Sequence, residues 1–329
     1  MKGDALTVKL GNGIEVSSGE AHFHLDATSL SSDTLCCISH AHSDHLPKRF
    51  NKNATDQVIS TEITLRCAES RLKRKLRTTQ HPDVRMHNAG HIPGSCMFEI
   101  DMAGEKVLYT GDFCPRDRPG MEGAKPVKTD VLIIDSTYGQ SGYVFPPTSG
   151  IVKLIQDWVE DNLSMGYSVA LFAYPLGKSQ ELVHILSEFE PYLHSSVLQM
   201  TEIIKDCGID YHFRSYDDRG EGPCVMVCPT NAKSSIHMDH CHHGRLRTAA
   251  VSGWAMDRSY RYQMGVDEAF VFSDHADFHD LLSFVKACEP KIVYTTHGFD
   301  KDLAVEIKSR LGLDARPLLK KGQSCLLNY

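Results

Sequence analysis

A short apolar run, Leu35-Cys36-Cys37-Ile38, stops at Ser-His-Ala-His-Ser-Asp-His, residues 39–45, which puts three histidines and an aspartate into seven positions. In extended backbone the imidazoles of His40 and His42, two residues apart, project to the same side and can share one metal ion. Asp44 and His45 fall where the chain is expected to turn into a helix. They offer an oxygen and a nitrogen to a second ion beside the first. A lone histidine is more often structural than a ligand, but an H-x-H-x-D-H string behind a strand rarely arises by chance.

One such motif does not complete two coordination shells, so further ligands are expected at other strand ends. Gly90-His91-Ile92-Pro93-Gly94-Ser95 holds a histidine in a tight glycine-flanked loop, and Tyr109-Thr110-Gly111-Asp112 puts a carboxylate at the end of a strand. Tyr294-Thr295-Thr296-His297-Gly298 does the same with a histidine. Each is weak alone. Together His40, His42, Asp44, His45, His91, Asp112 and His297 form the nitrogen and oxygen mixture that suits zinc.

Around these motifs the texture is mixed α/β. Apolar or β-branched runs at Leu6–Leu10, Ala21–Leu25, Thr34–Ser39, Ser95–Met102, Lys106–Thr110 and Val131–Asp135 read as strands. After residue 140 helices alternate with strands. Ile151, Leu154, Ile155, Trp158 and Val159 predict a helix, Ser168–Ala173 a strand, and Leu182, Val183 and Leu186 the helix of a β-loop-α unit. Strands are expected at 225–227, 249–252 and 269–272. The chain then reads helix 281–288, strand 291–296, helix 303–311 and strand 316–319.

The 329 residues, 41% of them hydrophobic, suffice for one large or two modest domains. No apolar stretch approaches the roughly 18 residues of a membrane span, and no leader pattern opens the sequence, so a cytoplasmic protein without membrane contact is expected. The 11 scattered cysteines suit a reducing compartment. Cys224 and Cys228 lie too far apart along a strand for one zinc and are read as core. A net charge of -7 argues against coating nucleic acid by bulk electrostatics, so any such contact is local. One place for it is Arg71–Arg77, where Leu65, Ala68, Leu72 and Leu76 form a helical stripe beneath basic residues. A solvated helix face explains that segment equally well.

With these motifs in order, the sequence resembles the metallo-β-lactamase superfamily, and within it the β-CASP nucleases. Leu132-Ile133-Ile134-Asp135-Ser136-Thr137-Tyr138-Gly139 looks like the motif that opens the β-CASP branch. Phe272-Ser273-Asp274-His275-Ala276-Asp277 looks like its second signature, and His297 falls on the third. Gly177-Lys178-Ser179-Gln180-Glu181-Leu182 and Val251-Ser252-Gly253-Trp254 resemble parts of the inserted domain of that branch. The resemblance runs from about Asp26 to the C-terminal helix.

It implies an αββα sandwich from residues 1–139 and 273–329, interrupted by an α/β β-CASP insertion at 140–272. It assigns His40, His42 and His91 to one zinc, Asp44, His45 and His297 to the other, and Asp112 between them, with manganese able to substitute. Asp26 would support the ligand loop without binding metal. His275 and Asp135 would be the catalytic pair, with Asp44 beside them in the catalytic set. Two ions about 3.5 to 4 Å apart can share a hydroxide and offset charge on a phosphodiester, while His275 protonates the departing sugar oxygen. Lys178 and Ser179 are expected to contact substrate phosphate at a helix N-terminus. Gly177-Lys178-Ser179 is not a nucleotide-binding loop, since Phe172 stands where the first glycine is required.

The implied function is a zinc ribonuclease acting on single-stranded RNA, of the messenger-RNA 3′-end processing or decay type, because the third signature is His297. Ligase-associated DNA exonucleases share FSDHADF and TTHGF, so a DNA repair exonuclease is the alternative. A scaffold without catalysis and a small-molecule hydrolase are the readings from other classes. Self-association into a homodimer stays open. The tract His237–His243, rich in ligand types, has no strand before it and reads as a surface or substrate-facing loop.

Overall fold

The computed structural model describes residues 5–31, 35–50, 57–220, 222–236 and 245–318, so the tract 237–243 lies outside the described residues. The chain divides into two compact units. One is drawn from 1–116, 122–144 and 275–329, the other from 117–121 and 145–274.

Two six-stranded sheets build the first unit. One runs Thr7–Gly11, Gly13–Ser18, Ala21–Leu25, Leu35–Cys37, Gln57–Ile59, Arg77–Thr78, antiparallel over its first three strands and parallel beyond. The other runs Asp314–Pro317, Ile292–Thr296, Val131–Asp135, Glu105–Tyr109, Cys96–Met102, Val84–Asn88. It is parallel over its first four strands and antiparallel at the last two. Side chains alternate across a strand, and the apolar runs use both faces. Val107, Tyr109, Val131 and Ile133 pack toward Val16, Phe23, Leu25 and Cys37 of the first sheet. Leu108, Leu132, Ile134 and Val293 point the other way, onto Leu281, Phe284 and Val285 of helix Phe278–Cys288 and onto Leu303 and Ile307 of helix Asp300–Leu311. The strand ends are thereby fixed from both sides.

Six parallel strands form the sheet of the second unit, in the order Arg214–Ser215, Tyr192–Leu193, Val225–Pro229, Ser168–Ala173, Leu246–Ser252, Glu268–Val271. Parallel neighbours need crossovers, and helices Thr148–Ser164, Lys178–Ile185 and Ser195–Asp206 lie among them in the chain. Ile151, Ile155 and Val159 are buried as expected, but Leu154 is 55% exposed, so the apolar stripe of the first helix is narrower than the sequence implied. Cys224 and Cys228 belong to this core.

The basic segment departs from expectation. Its helix spans Glu62–Leu72 and stops at Lys73, whose left-handed backbone (φ 51°) lets its N–H bond Glu69 O. Arg74, Lys75 and Arg77 therefore lie off the helix, and Leu76 is buried beyond its end rather than on its stripe.

Leu281 is fully buried between helix and sheet. Leu281→Ala should cost about 2–5 kcal/mol, read as a lowered urea midpoint of the unfolding transition that reports on this unit.

Candidate metal centre and its neighbouring histidine–aspartate pair

The donor side chains stand on loops at the ends of neighbouring strands. Ile38 N bonds Ile59 O (3.0 Å) and Cys96 N bonds Ser39 O (2.9 Å), which anchors the loop as it leaves Leu35–Cys37. The same loop passes hard against Gly111, where a Cβ would lie 2.7 Å from Ser39 Cβ. Only glycine lets Asp112 approach His40 so closely. Gly90 (φ 64°) similarly lacks room for a Cβ beside Cys114 O, and Ser95 Oγ accepts from the N–H groups of His91 and Ile92, both at 3.1 Å. His91 is thus held by a side-chain turn. Strands Val131–Asp135 and Ile292–Thr296 run parallel with Asp135 opposite Thr296, which brings the Asp135 carboxylate and His297 to the same sheet end.

These loops put one donor atom each from His40, His42, His91 and Asp112 within 4.8 Å of one another, and likewise from His45, Asp112 and His297. Asp112 is common to both groups. Its Oδ2 lies 3.5 Å from His40 Nε2 and 3.8 Å from His91 Nε2, while Oδ1 lies 3.4 Å from His45 Nε2. His91 Nε2 is 3.2 Å from His42 Nδ1. Donors on one tetrahedral zinc stand about 3.3 Å apart, so these spacings suit a shared ion. Among the described residues, buried His40 Nε2 and Asp112 Oδ1 have no hydrogen-bond partner. Such buried polar atoms call for an explanation, and a cation supplies one. Asp44 is peripheral: its side chain is 74% exposed, with Oδ2 3.9 Å from His45 Nε2.

Asp26 sits beside these donors, and it too brings a donor atom within 4.8 Å of donor atoms of His40 and His45. Its Oδ1 accepts from Ser39 N (2.7 Å), and its Oδ2 accepts from Ser39 Oγ (2.6 Å) and Tyr109 Oη (2.8 Å). His45 Nδ1 lies 2.7 Å from that same Oδ2. Bonding of this kind fixes an imidazole's tautomer and aims its other nitrogen at the metal side. The electrostatics split the histidines. Burial, aided by three other imidazoles beside it and by His275, holds His40 well below the ordinary histidine range. Burial also opposes charge on His45, but Asp112, Asp26 and Asp44 outweigh it and push His45 up to about 10.

A second group adjoins this one. His275 Nδ1 is 3.1 Å from Asp135 Oδ2, while Asp135 Oδ1 accepts from Thr137 N (2.9 Å) and Thr137 Oγ1 (2.7 Å). Burial raises the Asp135 carboxyl, yet its hydrogen bond to His275 and that ring's charge leave it below the usual carboxylate range. The His275 ring lies 4.4 Å from that of His91, centroid to centroid. Donor atoms of Asp112, Asp135 and His275 also fall within 4.8 Å of one another.

Lys178 and Ser179 lie in the second unit and are engaged there. Lys178 is 4% exposed, with its ammonium 3.0 Å from Asp274 and 3.8 Å from Glu181. Ser179 is fully buried and donates to Tyr174 O at 2.8 Å. Sequence reading passed over Ser39, Tyr109 and Thr137, although each stands inside or beside a motif it had singled out. No helix among the described residues is long and apolar enough to cross a membrane.

Comparison with known proteins bears on this arrangement. A family model described as the zinc-dependent metallo-hydrolase RNA specificity domain matches residues 261–316. A probable DNA ligase of Opitutus terrae is 34% identical over 294 residues, 84% of this chain and 28% of that protein. Cleavage and polyadenylation specificity factor subunit 3 of Dictyostelium discoideum is 27% identical over 273 residues, 65% of this chain and 35% of that protein. The chain thus spans about a third of the length of these two relatives. A protein of unknown function from Enterococcus faecalis V583 shares the fold, with a TM-score of 0.64 over 98% of both chains at 11% identity. These matches are consistent with the β-CASP metallo-β-lactamase nucleases, and the matched family model is that of a zinc-dependent metallo-hydrolase.

With His45 pushed up to about 10, a zinc ion held by His45 should displace a proton there, so loading zinc at pH 7 should release about one proton per chain. Zinc calorimetry in buffers of different ionisation enthalpy would show it, and affinity should rise as pH climbs toward the His45 value. Asp26→Ala should weaken zinc binding about 10- to 100-fold.

Proposed function

We propose that the chain is a nuclease that hydrolyses phosphodiester bonds in single-stranded nucleic acid, RNA in preference to DNA. In this reading His40, His42 and His91 hold one zinc, Asp44, His45 and His297 a second, and Asp112 lies between them. Bound there, zinc or manganese would supply an activated water at neutral pH and would offset charge on the phosphodiester. The organisation that goes with it is a catalytic unit from 1–139 and 273–329 with a substrate-binding insertion at 140–272.

The observation that carries the reading is the His275–Asp135 pair, 3.1 Å apart and beside the ligand cluster. Hydrolysis that expels a sugar alkoxide needs a proton donor, because an alkoxide is a poor leaving group. Asp135 is buried, anchored by Thr137, and kept anionic. A carboxylate so placed favours the protonated imidazole and holds the ring in one orientation. His275 would give its proton to the departing oxygen, and Asp135 would hold the ring through the transfer. Hydrolases that expel good leaving groups have no need of such a pair.

RNA is favoured by the RNA specificity description of the family model and by the name of the Dictyostelium relative. A second reading, processing of DNA ends, is favoured by the match to the probable DNA ligase, which covers more of this chain at higher identity.

His275→Ala should lower turnover on a single-stranded oligoribonucleotide by about 10²–10⁴-fold with metal content unchanged. A small loss would count against the mechanism. Matched single-stranded RNA and DNA oligonucleotides, end-labelled, would decide between the two substrates, and faster cleavage of DNA would sink the RNA preference.

A further inference from the structure

Arg116 follows Asp112 by four residues and directs its guanidinium at three groups of one short segment. Nη2 donates to the His275 carbonyl at 3.3 Å, Nη1 lies 3.4 Å from Asp277 Oδ2, and Nε lies 3.0 Å from Asp280 Oδ2. A backbone bond runs alongside, from Ala276 N to Phe113 O at 2.8 Å. The loop that carries Asp112 and the loop that carries His275 are therefore joined at four points.

The segment it grips is already ordered. Asp277 caps helix Phe278–Cys288 by accepting from the N–H groups of His279 and Asp280, and Asp280 returns the bond to Asp277 N at 3.2 Å. Two carboxylates sit close together in that cap, with the Asp277 side chain 7% exposed and that of Asp280 21%. Burial pushes the Asp280 carboxyl up, Arg116 pulls it down, and Asp277 adds a like charge. The guanidinium offsets part of that negative charge at the start of the helix, and His275 stands two residues before the cap.

We propose that Arg116 is a positioning residue for His275, holding the backbone so that the imidazole stands where it can protonate the leaving oxygen, in register with Asp112. It touches no reacting atom. The inference rests on the reading of His275 as proton donor. Misplacing a reacting group by about 1 Å can cost about 10²-fold, so a clamp of this kind matters to rate. Lysine would be a partial substitute, since an ammonium lacks the planar fork whose two Nη groups reach Asp277 and the His275 carbonyl at once while Nε pairs with Asp280.

The test uses an oligonucleotide with one cleavable linkage, made with bridging oxygen, 3′-bridging sulfur or 5′-bridging sulfur. A thiolate departs without a proton, so a defect confined to the acid is hidden in the sulfur linkage at the scissile position. For Arg116→Gln, kcat on the oxygen linkage should fall roughly 10- to 100-fold, with KM and the sulfur reaction each within about threefold of wild type. Arg116→Lys should recover part of the loss. Asp280→Asn, which keeps the cap acceptor, should show a smaller loss of the same kind, and it serves if the arginine variant does not fold. Equal losses on oxygen and sulfur, a change in KM alone, or no loss would overturn the proposal. If His275→Ala spares the sulfur linkage and Arg116→Gln does not, the clamp alone fails. If His275→Ala loses both linkages equally, the reading of His275 fails and the clamp with it.

Discussion

The first unit depends on one buried carboxylate. Asp26 accepts from Ser39 N, Ser39 Oγ and Tyr109 Oη, and its Oδ2 also meets His45 Nδ1 at hydrogen-bond distance. Ser39 and His45 bracket the ligand loop of the first sheet, and Tyr109 ends a strand of the second. A single carboxyl group thus ties the two sheets together at the edge where the donors gather. Its backbone is left-handed (φ 47°), a conformation that a non-glycine residue adopts at a cost. Four contacts converge on this one carboxyl group, which also brings a donor atom within 4.8 Å of donor atoms of His40 and His45.

From that anchor outward, strand ends set the geometry. Asp112 and His297 follow strands of the second sheet and Asp135 ends one, and parallel register brings Asp135 and His297 to the same end. Loops that leave one sheet edge together can converge side chains from distant parts of the sequence. The His275–Asp135 pair adjoins the donor cluster closely enough that Asp112, Asp135 and His275 also bring donor atoms within 4.8 Å of one another, while Asp135 is further engaged by Thr137.

Much of this was legible in the residues. Alternation and apolar runs located the strands Ala21–Leu25, Val131–Asp135 and Ser168–Ala173 to the residue, and the ligand motifs stood after the strands Leu35–Cys37, Glu105–Tyr109 and Ile292–Thr296. Strands Gly13–Ser18 and Val84–Asn88 escaped notice. The first is short and half polar, and the second is a sheet edge with only partly buried side chains, so neither leaves an apolar run. The basic helix was read one turn too long because its stripe continued through Leu76, whereas the left-handed turn at Lys73 carries Leu76 inward by another route. Lys178 had looked like a phosphate contact from its place at a helix start. Its buried pairing with Asp274 comes from residues almost a hundred positions apart, which no local pattern reports. The clamp by Arg116 was invisible for the same reason.

The central claim, a two-ion centre built from seven side chains, is tested most directly by crystallography of the zinc-loaded protein with anomalous data at the zinc edge. The account predicts two anomalous peaks, one among His40, His42 and His91 and one among Asp44, His45 and His297, with Asp112 between them and Asp26 bonded to neither. A single peak, or a zinc ion held by Asp26 or His275 in place of those ligands, would contradict it.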